Sequence, residues 1–330
     1  RLVGSEMCIR DSRASLWYSE HIEITDTKMH GIKALRECRD VVIDNCDIIS
    51  PEFGWSVNGI QMKHSTAESE YFMMRATDLN FSDVQFKGKY SFQYIKNAVF
   101  DNCVLDTKDA FWHSENVTVK NSVVKGEYLA WYSDGLTLIN CKIIGTQPLC
   151  YCKNLTLINC EMVDTDLCFE RSEVQAILTS SVDSIKNPLS GWIQVTEVGE
   201  IIMDVAEATG KVMISDVDAQ TEEFQKTVSE NKKFVKEFIQ NEIPQIQVAS
   251  FYDTCFLRLN FVRMIGNGME AVSYIKEKTG VYFSYGKQNG QGGNEFLRIN
   301  TACSRSVLER SLQQLKAGIT AYEKFCVERC

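Results

Sequence analysis

No apolar run in the 330-residue chain approaches the ~20 residues that a membrane-spanning helix takes, so no membrane partner is expected. There is also no basic block and no acidic tail. Charges of both signs are scattered, and a net charge of -9 has the wrong sign for a nucleic-acid or anionic-membrane partner. Histidine is scarce. His21, His30, His64 and His113 are the four, they are dispersed, and none accompanies the Cys150-x-Cys152 pair, so no zinc motif and no metal site is expected. The sequence opens with neither an initiator methionine nor the charged-then-apolar pattern of a secretory leader. Its first twelve residues, RLVGSEMCIRDS, are aperiodic. They resemble translated adapter read-through and are expected to be non-native.

Cysteine, by contrast, is abundant at thirteen, and the spacing of four of them explains it. Cys46, Cys103, Cys141 and Cys160 are separated only by multiples of nineteen. They occupy one repeat position, which predicts small buried hydrophobes in a reducing, cytoplasmic compartment rather than disulfide partners.

Stepping by nineteen gives Thr27, Cys46, Ser65, Val84, Cys103, Ser122, Cys141, Cys160 and Thr179, all small. Just before them runs Asp26, Asn45, His64, Asp83, Asn102, Asn121, Asn140, Asn159. Two positions earlier runs Ile24, Ile43, Met62, Phe81, Phe100, Val119, Leu138, Leu157, and two earlier again Ile22, Val41, Ile60, Leu79, Ala98, Val117, Leu136, Leu155. Period-two alternation means strand with one face buried. The column His21, Asp40, Gly59, Asp78, Asn97, Asn116, Gly135, Asn154 is rich in residues that tolerate positive φ, which predicts a left-handed corner. A unit this short buries nothing alone. Stacked coils about 4.8 Å apart pair every strand above and below. The pattern therefore predicts an all-β, right-handed parallel β-helix of nineteen-residue coils over residues 13–215. The leucine-rich-repeat signature, of similar period, is absent.

The segments LWYSEHIEIT, IKALRECRDVVIDNCDIISPEFGW, TKDAFWHSENVTVKNSVVKGEYLAWYS and LTLINCKIIGTQPLCYCKNLTLINCEM resemble a bacterial β-helix family known as domain of unknown function 3737, from about Ala14 to Ile214. That resemblance implies a pectin-lyase-like solenoid and no particular activity.

One flank of the coils stands out. A column Trp17, Arg36, Trp55, Met74, Gln93, Trp112, Trp131 lies beside Tyr18, Glu37, Ser56, Arg75, Tyr94, His113, Tyr132, Tyr151. If these face outward, Trp55, Trp112, Trp131, Tyr94, Tyr132 and Tyr151 form a surface suited to a carbohydrate or another protein chain. If they face inward they are stacked core, and periodicity leaves this open. Acid–base chemistry has weaker candidates: Lys108 and Glu127 one coil apart, Asp109 one coil from Tyr90 and from Tyr128, and His113 nearby. The NTD, DD and RIK motifs of uronate lyases and polygalacturonases with this fold are absent, so Lys108 and Glu127 are expected to form a surface ion pair.

After Asp216 the pattern changes. Helices are predicted over Glu222 to Gln240, Met269 to Lys278, and from Ser304 or Ser306 to about Phe325, with strands at Ile246–Ser250, Cys255–Asn260, Val281–Ser284 and Phe296–Asn300. This is a small α/β (α+β) domain, residues 216–330. The stretches NKKFVKEFIQ, GVYFSYGKQNGQGG and EFLRINTACSRS resemble the C-terminal small domain of class I/II aminotransferase-like cystathionine β-lyases, which are pyridoxal-phosphate enzymes. The resemblance implies that Arg298 clamps a substrate carboxylate. It departs from the family at Ser304, Arg258 and Asn260. The large domain that would carry the Schiff-base lysine has no counterpart here, so no cofactor is expected unless that domain is supplied, and the chain alone is expected to be inactive. The abrupt join suggests a gene fusion, an internal deletion or a misassembled read.

Overall fold

The computed structural model describes residues 2–3, 16–214, 217–250, 256–260, 268–279, 284–285, 296–301 and 305–329. The chain divides into two compact units, Arg1–Gln220 and Thr221–Cys330.

Unit one is a parallel β-solenoid of about 10 turns. Its strands repeat because the sequence does. Arg39–Asp44 pairs with Asn58–Lys63, placing Val41 beside Ile60 and Ile43 beside Met62. Glu115–Lys120 pairs with Asp134–Ile139, placing Val119 beside Leu138. A shorter second strand, such as Asp47–Ile49, stacks likewise on Thr66–Ser69, and the first coils add a third, Glu52–Phe53 on Tyr71–Phe72. Leu2–Val3, within the segment expected to be non-native, pairs with Ile24 and Thr25.

The apolar columns point inward as predicted: Ile24, Ile43, Phe81, Phe100, Val119 and Leu138 are all buried. So are Cys46, Cys103, Cys141 and Cys160, and none of the nine described cysteines is in a disulfide. Their thiols donate to nearby carbonyls, Cys141 to Ile139 at 3.3 Å. Burial pushes the thiol of Cys103 up to about 11 and that of Cys150 up to about 12, so both stay protonated at neutral pH.

Two expectations need correction. The first is the extent of the period. The sequence carries the nineteen-residue step on to Thr179, but Cys160 pairs with Leu178 across an irregularity. Later coils are shorter still, with Glu173 beside Ser190. The second concerns corners. The expected corner is present at positive φ, from His21 through Gly59 to Asn154, but each regular coil has at least three more, and Tyr90, Asp109, Tyr128 and Gln147 add a fourth in their coils. One falls on the Asn column. Two others bracket the aromatic flank, at Leu35, Met73, Phe92, Phe111, Ala130 and Leu149, and at Tyr94, His113, Tyr132 and Tyr151. A left-handed Phe or Leu costs about 1–2 kcal/mol. Full burial of such a side chain contributes about 1.5–3 kcal/mol, and Phe92, Phe111 and Leu149 are completely buried. Packing overrides propensity at these corners.

The polar turns are tied coil to coil. Asn45 Nδ2 donates to Asp26 Oδ1 at 2.7 Å, Asn102 to Asp83 at 2.5 Å and Asn140 to Asn121 at 3.2 Å. Where a carbonyl passes within reach of the next backbone the chain uses glycine. A Cβ on Gly126 would lie 2.1 Å from the carbonyl oxygen of Thr107.

Unit two holds helix α1 (Val217–Glu242) from Thr221 onward, α2 (Gly268–Thr279) and α3 (Arg305–Arg329) with an antiparallel four-stranded sheet. The strands Gln247–Ser250, Phe256–Asn260 and Phe296–Asn300 lie where the pattern places them, and Ser284–Tyr285 is the fourth. Leu308, Leu312, Leu315 and Ile319 of α3 are buried as expected. On α1 the buried stripe is Val228, Val235 and Ile239, while Phe234 and Phe238 are only half-buried. Ser306 lies inside α3 rather than capping it. Ser304, Cys255, Gly280 and residues 281–283 lie outside the described residues. Among those described, no helix is long and apolar enough to cross a membrane.

The core columns carry the stability of unit one. Leu138→Ala should lower its unfolding free energy by about 2–5 kcal/mol. Lys142→Ala, which removes only a half-exposed ion pair with Glu161 at 2.9 Å, should cost under about 1 kcal/mol. Urea denaturation of the two variants checks the contrast; equal losses would mean that Leu138 is not a core position.

Candidate functional site

The aromatic flank is a tight turn repeated once per coil. In it the amide of Ser114 bonds the carbonyl of Phe111, that of Ser133 the carbonyl of Ala130, and that of Ala76 the carbonyl of Met73, at 3.1–3.2 Å. The residue that begins each turn and the one that ends it point inward. The two between them carry the tryptophan and tyrosine columns, and both lie on the outside. That resolves the open question of orientation.

The tyrosine column is exposed, with Tyr94 43% and Tyr132 47% accessible. Its left-handed backbone aims each ring outward in register with the next. Tyr94, His113, Tyr132 and Tyr151 form one continuous stack, with centroid spacings of 4.9, 5.0 and 4.8 Å and interplanar angles of 6°, 8° and 13°. The guanidinium of Arg75 lies 5.9 Å from the Tyr94 ring at its upper end. The stack's spacing is the coil spacing of a parallel sheet. Offset stacking of this kind contributes about 0.5–1.5 kcal/mol per pair.

The tryptophan column is half-buried, and whereas the Trp17 N–H is buried without a partner, from Trp55 onward its indole N–H groups are spent within the chain. Each donates to a carbonyl sixteen residues ahead, in the next coil: Trp55 to Tyr71 at 3.1 Å, Trp112 to Tyr128 at 2.6 Å, Trp131 to Gln147 at 2.8 Å. Gln93, which takes a tryptophan's place, donates in the same way to Asp109 at 3.0 Å. Trp112 and Trp131 stack at 5.4 Å and 2°. Trp55 stands apart from them, three coils away, with the Arg36 guanidinium 5.3 Å from its ring.

A third outward column was not singled out as a unit by the sequence reading: Tyr71, Tyr90, Asp109, Tyr128 and Gln147, each two residues before the turn. The amide of Tyr90 bonds the Lys108 carbonyl, that of Asp109 the Glu127 carbonyl and that of Tyr128 the Thr146 carbonyl, all at 3.0 Å, so these residues occupy successive coils. Tyr71 and Tyr90 stack at 5.3 Å and 19°. Nineteen-residue spacing was the signal that could have found this column.

Three comparisons bear on the flank and its scaffold. A family model described as a protein of unknown function (DUF3737) matches residues 3–215. The chain belongs to the DUF3737 family. No curated protein matches it. Among solved structures, a PLP-bound protein described as an aminotransferase, from Clostridium difficile 630 and crystallized with magnesium formate, is 29% identical. That match covers 31% of this chain and 26% of the other, with a TM-score of 0.30. The chain therefore spans about a quarter of that protein, and a likeness at that score carries no argument.

Within the DUF3737 domain the acid–base candidates separate. Lys108 Nζ and Glu127 Oε2 meet at 2.9 Å, both about half exposed, with the ammonium 5.2 Å from the Tyr128 ring. This is the surface ion pair that the sequence predicts. The bond to Glu127 raises the Lys108 ammonium above its ordinary range. His113 is held between two tyrosine rings instead. Asp109 differs from all of these. It is buried, 6% accessible, and its Oδ1 has no hydrogen-bond partner. Burial raises its carboxyl above the ordinary aspartate range, Lys108 opposes this, and Glu127 adds to it. Among the described residues no three His, Cys, Asp or Glu side chains gather to hold a metal ion. In unit two, Arg298 pairs through its backbone with Arg258 on the neighbouring strand, and its side chain lies outside the described residues.

A folded-state carboxyl raised above its unfolded value favours folding fully below the unfolded value, and loses that contribution as pH rises through the folded one. Asp109→Asn should therefore stabilise the domain at pH 7 by about 1 kcal/mol. That advantage should shrink as pH falls into the ordinary aspartate range. Urea midpoints at the two pH values test this, and a variant less stable at pH 7 would show that the carboxylate is paired.

Proposed function

We propose that the DUF3737 solenoid is a non-catalytic scaffold whose aromatic flank binds carbohydrate. The observation that carries this reading is the exposed four-ring stack from Tyr94 to Tyr151. Its rings cover one another's faces, so what meets solvent is a rib of ring edges with phenol hydroxyls and an imidazole, repeated once per coil. A polymer alternating C–H and O–H groups complements such a rib, because each ring edge offers an apolar side and a hydrogen-bonding tip. The half-buried Trp112 and Trp131 broaden it. Trp55 lies further along the same flank. A second protein chain is the other partner the flank suits. The acidic balance disfavours nucleic acid and anionic membrane.

Catalysis is not part of this reading. Lys108 and Glu127 neutralise each other, and His113 is engaged with rings. In the finer reading the solenoid winds right-handed in the pectin-lyase manner, and the free, buried cysteines suit the cytoplasm. Residues 216–330 are read as a partial aminotransferase small domain, with Arg298 the relic of a carboxylate clamp and pyridoxal phosphate relevant only with a lysine-bearing large domain.

The test is affinity electrophoresis of the full chain through homogalacturonan, xylan, mixed-linkage β-glucan and chitosan. At least one should retard it. Tyr132→Ala should weaken that interaction about tenfold or more, the loss of one well-placed contact worth ~1.4 kcal/mol. Tyr18→Ala, at a position 69% exposed and four coils before Tyr94, should leave it unchanged. Unretarded migration in every gel would overturn the reading.

A further inference from the structure

We infer that the Asp109 rung, between Tyr90 and Tyr128, is a subsite for one hydroxyl-bearing sugar ring. The inference rests on the carbohydrate reading above and gives it a position.

The argument begins with spacing. On the exposed rib a ring occupies every coil from Tyr94 to Tyr151, at 4.8–5.0 Å. In the neighbouring column Tyr71 and Tyr90 keep the same kind of stack at 5.3 Å. Then the series is broken by a short side chain, Asp109, before a ring returns at Tyr128. Tyr90 and Tyr128 are two coil steps apart, roughly 9–10 Å. One six-membered ring placed midway would stand about 4.8 Å from each, the separation the rest of the flank already uses. Elsewhere in the two stacks the faces of the rings are covered by their neighbours. At this interruption a side-chain ring is missing from one rung: Tyr90 is stacked on Tyr71 and on no ring beyond it, and Tyr128 is capped by the Lys108 ammonium at 5.2 Å and not by a ring.

Chemistry at the base of the rung narrows the ligand. Asp109 Oδ1 is buried without a hydrogen-bond partner. Gln93 bonds the main-chain carbonyl of this residue, not its carboxyl. Among the described residues the other such atoms belong to Trp17, Thr77, Ser114, Asn159, Thr165 and Gln175, so this is the one carboxylate in that condition. A buried carboxylate accepts hydrogen bonds and needs a donor. Aromatic walls with an acceptor beneath suit a ring with an apolar C–H face and a hydroxyl edge. A nucleotide base would fit the spacing, but its phosphate would meet Asp109 and Glu127 on a chain of net charge -9. Lys108 lies over the Tyr128 ring. It is 44% exposed and held there by Glu127, so an entering ring displaces a solvated side chain and no core residue.

A buried, unpaired carboxylate weakens the fold. Retaining one beside an exposed aromatic surface is what a binding group requires, and a purely structural position does not require it.

The test uses the polysaccharide that most retards the full chain, with oligosaccharides of that polymer titrated by calorimetry. Asp109→Asn and Tyr128→Leu should each weaken binding about tenfold or more, which is ~1.4 kcal/mol. Thermal melts run alongside should show Asp109→Asn at least as stable as the parent, which separates lost contact from lost fold. If both variants bind like the parent while Tyr132→Ala does not, the subsite is wrong and the carbohydrate reading stands. If the parent itself binds no polysaccharide, both fall together.

Discussion

Each coil hangs from its neighbour by main-chain hydrogen bonds. The amide of Tyr94 reaches the carbonyl of Trp112 at 2.8 Å, and that of His113 reaches Trp131 at 2.9 Å. Because the step between bonded residues is constant through the regular coils, each side chain there lies directly on its counterpart one coil away. The interior then consists of columns, and so does the exterior. A buried column gains area from each added member. An exposed column of rings stacks because the backbone gives it no other arrangement. The stack from Tyr94 to Tyr151, the Asn turns and the lysine–glutamate pairs all follow from that single geometric condition.

The same condition explains why strain is tolerated at the flank. Turning the chain sharply enough to close a coil takes left-handed residues, and the sequence supplies Phe92, Phe111 and Leu149 at such positions. Each would be disfavoured in an isolated turn. In the solenoid the inward aim of those side chains fills the core. It leaves the two residues that follow each of them free to project outward. The aromatic surface is thus a by-product of how the core is closed, and its regularity does not depend on any ligand.

Asp109 is the exception within this order. Neighbouring coils hold tyrosine or glutamine at this position, whereas Asp109 is a short, buried carboxylate whose Oδ1 has no donor. A repetitive fold makes such a departure conspicuous, since the neighbouring coils show what the position ordinarily contains. The ion pair of Lys108 with Glu127, one residue earlier in the coil, is by contrast ordinary solvated surface.

The linear sequence by itself determined the solenoid, its period, its buried columns and the corner at Gly59 and its equivalents. Those features are one-dimensional, since a fixed step along the chain is also the step along the stack. It also placed the elements of unit two, where helical periodicity and alternating strands are local. Three things were decided only in three dimensions. Whether the Trp and Tyr columns face out depended on left-handed turns formed by Phe, Leu and Tyr, residues whose local preference gives no such signal. The shortening of coils after Cys160 depended on hydrogen-bond register, which a run of small residues ending at Thr179 could not reveal. The burial of Asp109 depended on the height of the side chains above and below it. Nineteen residues of sequence separate it from each of those neighbours, and one coil of structure brings them together.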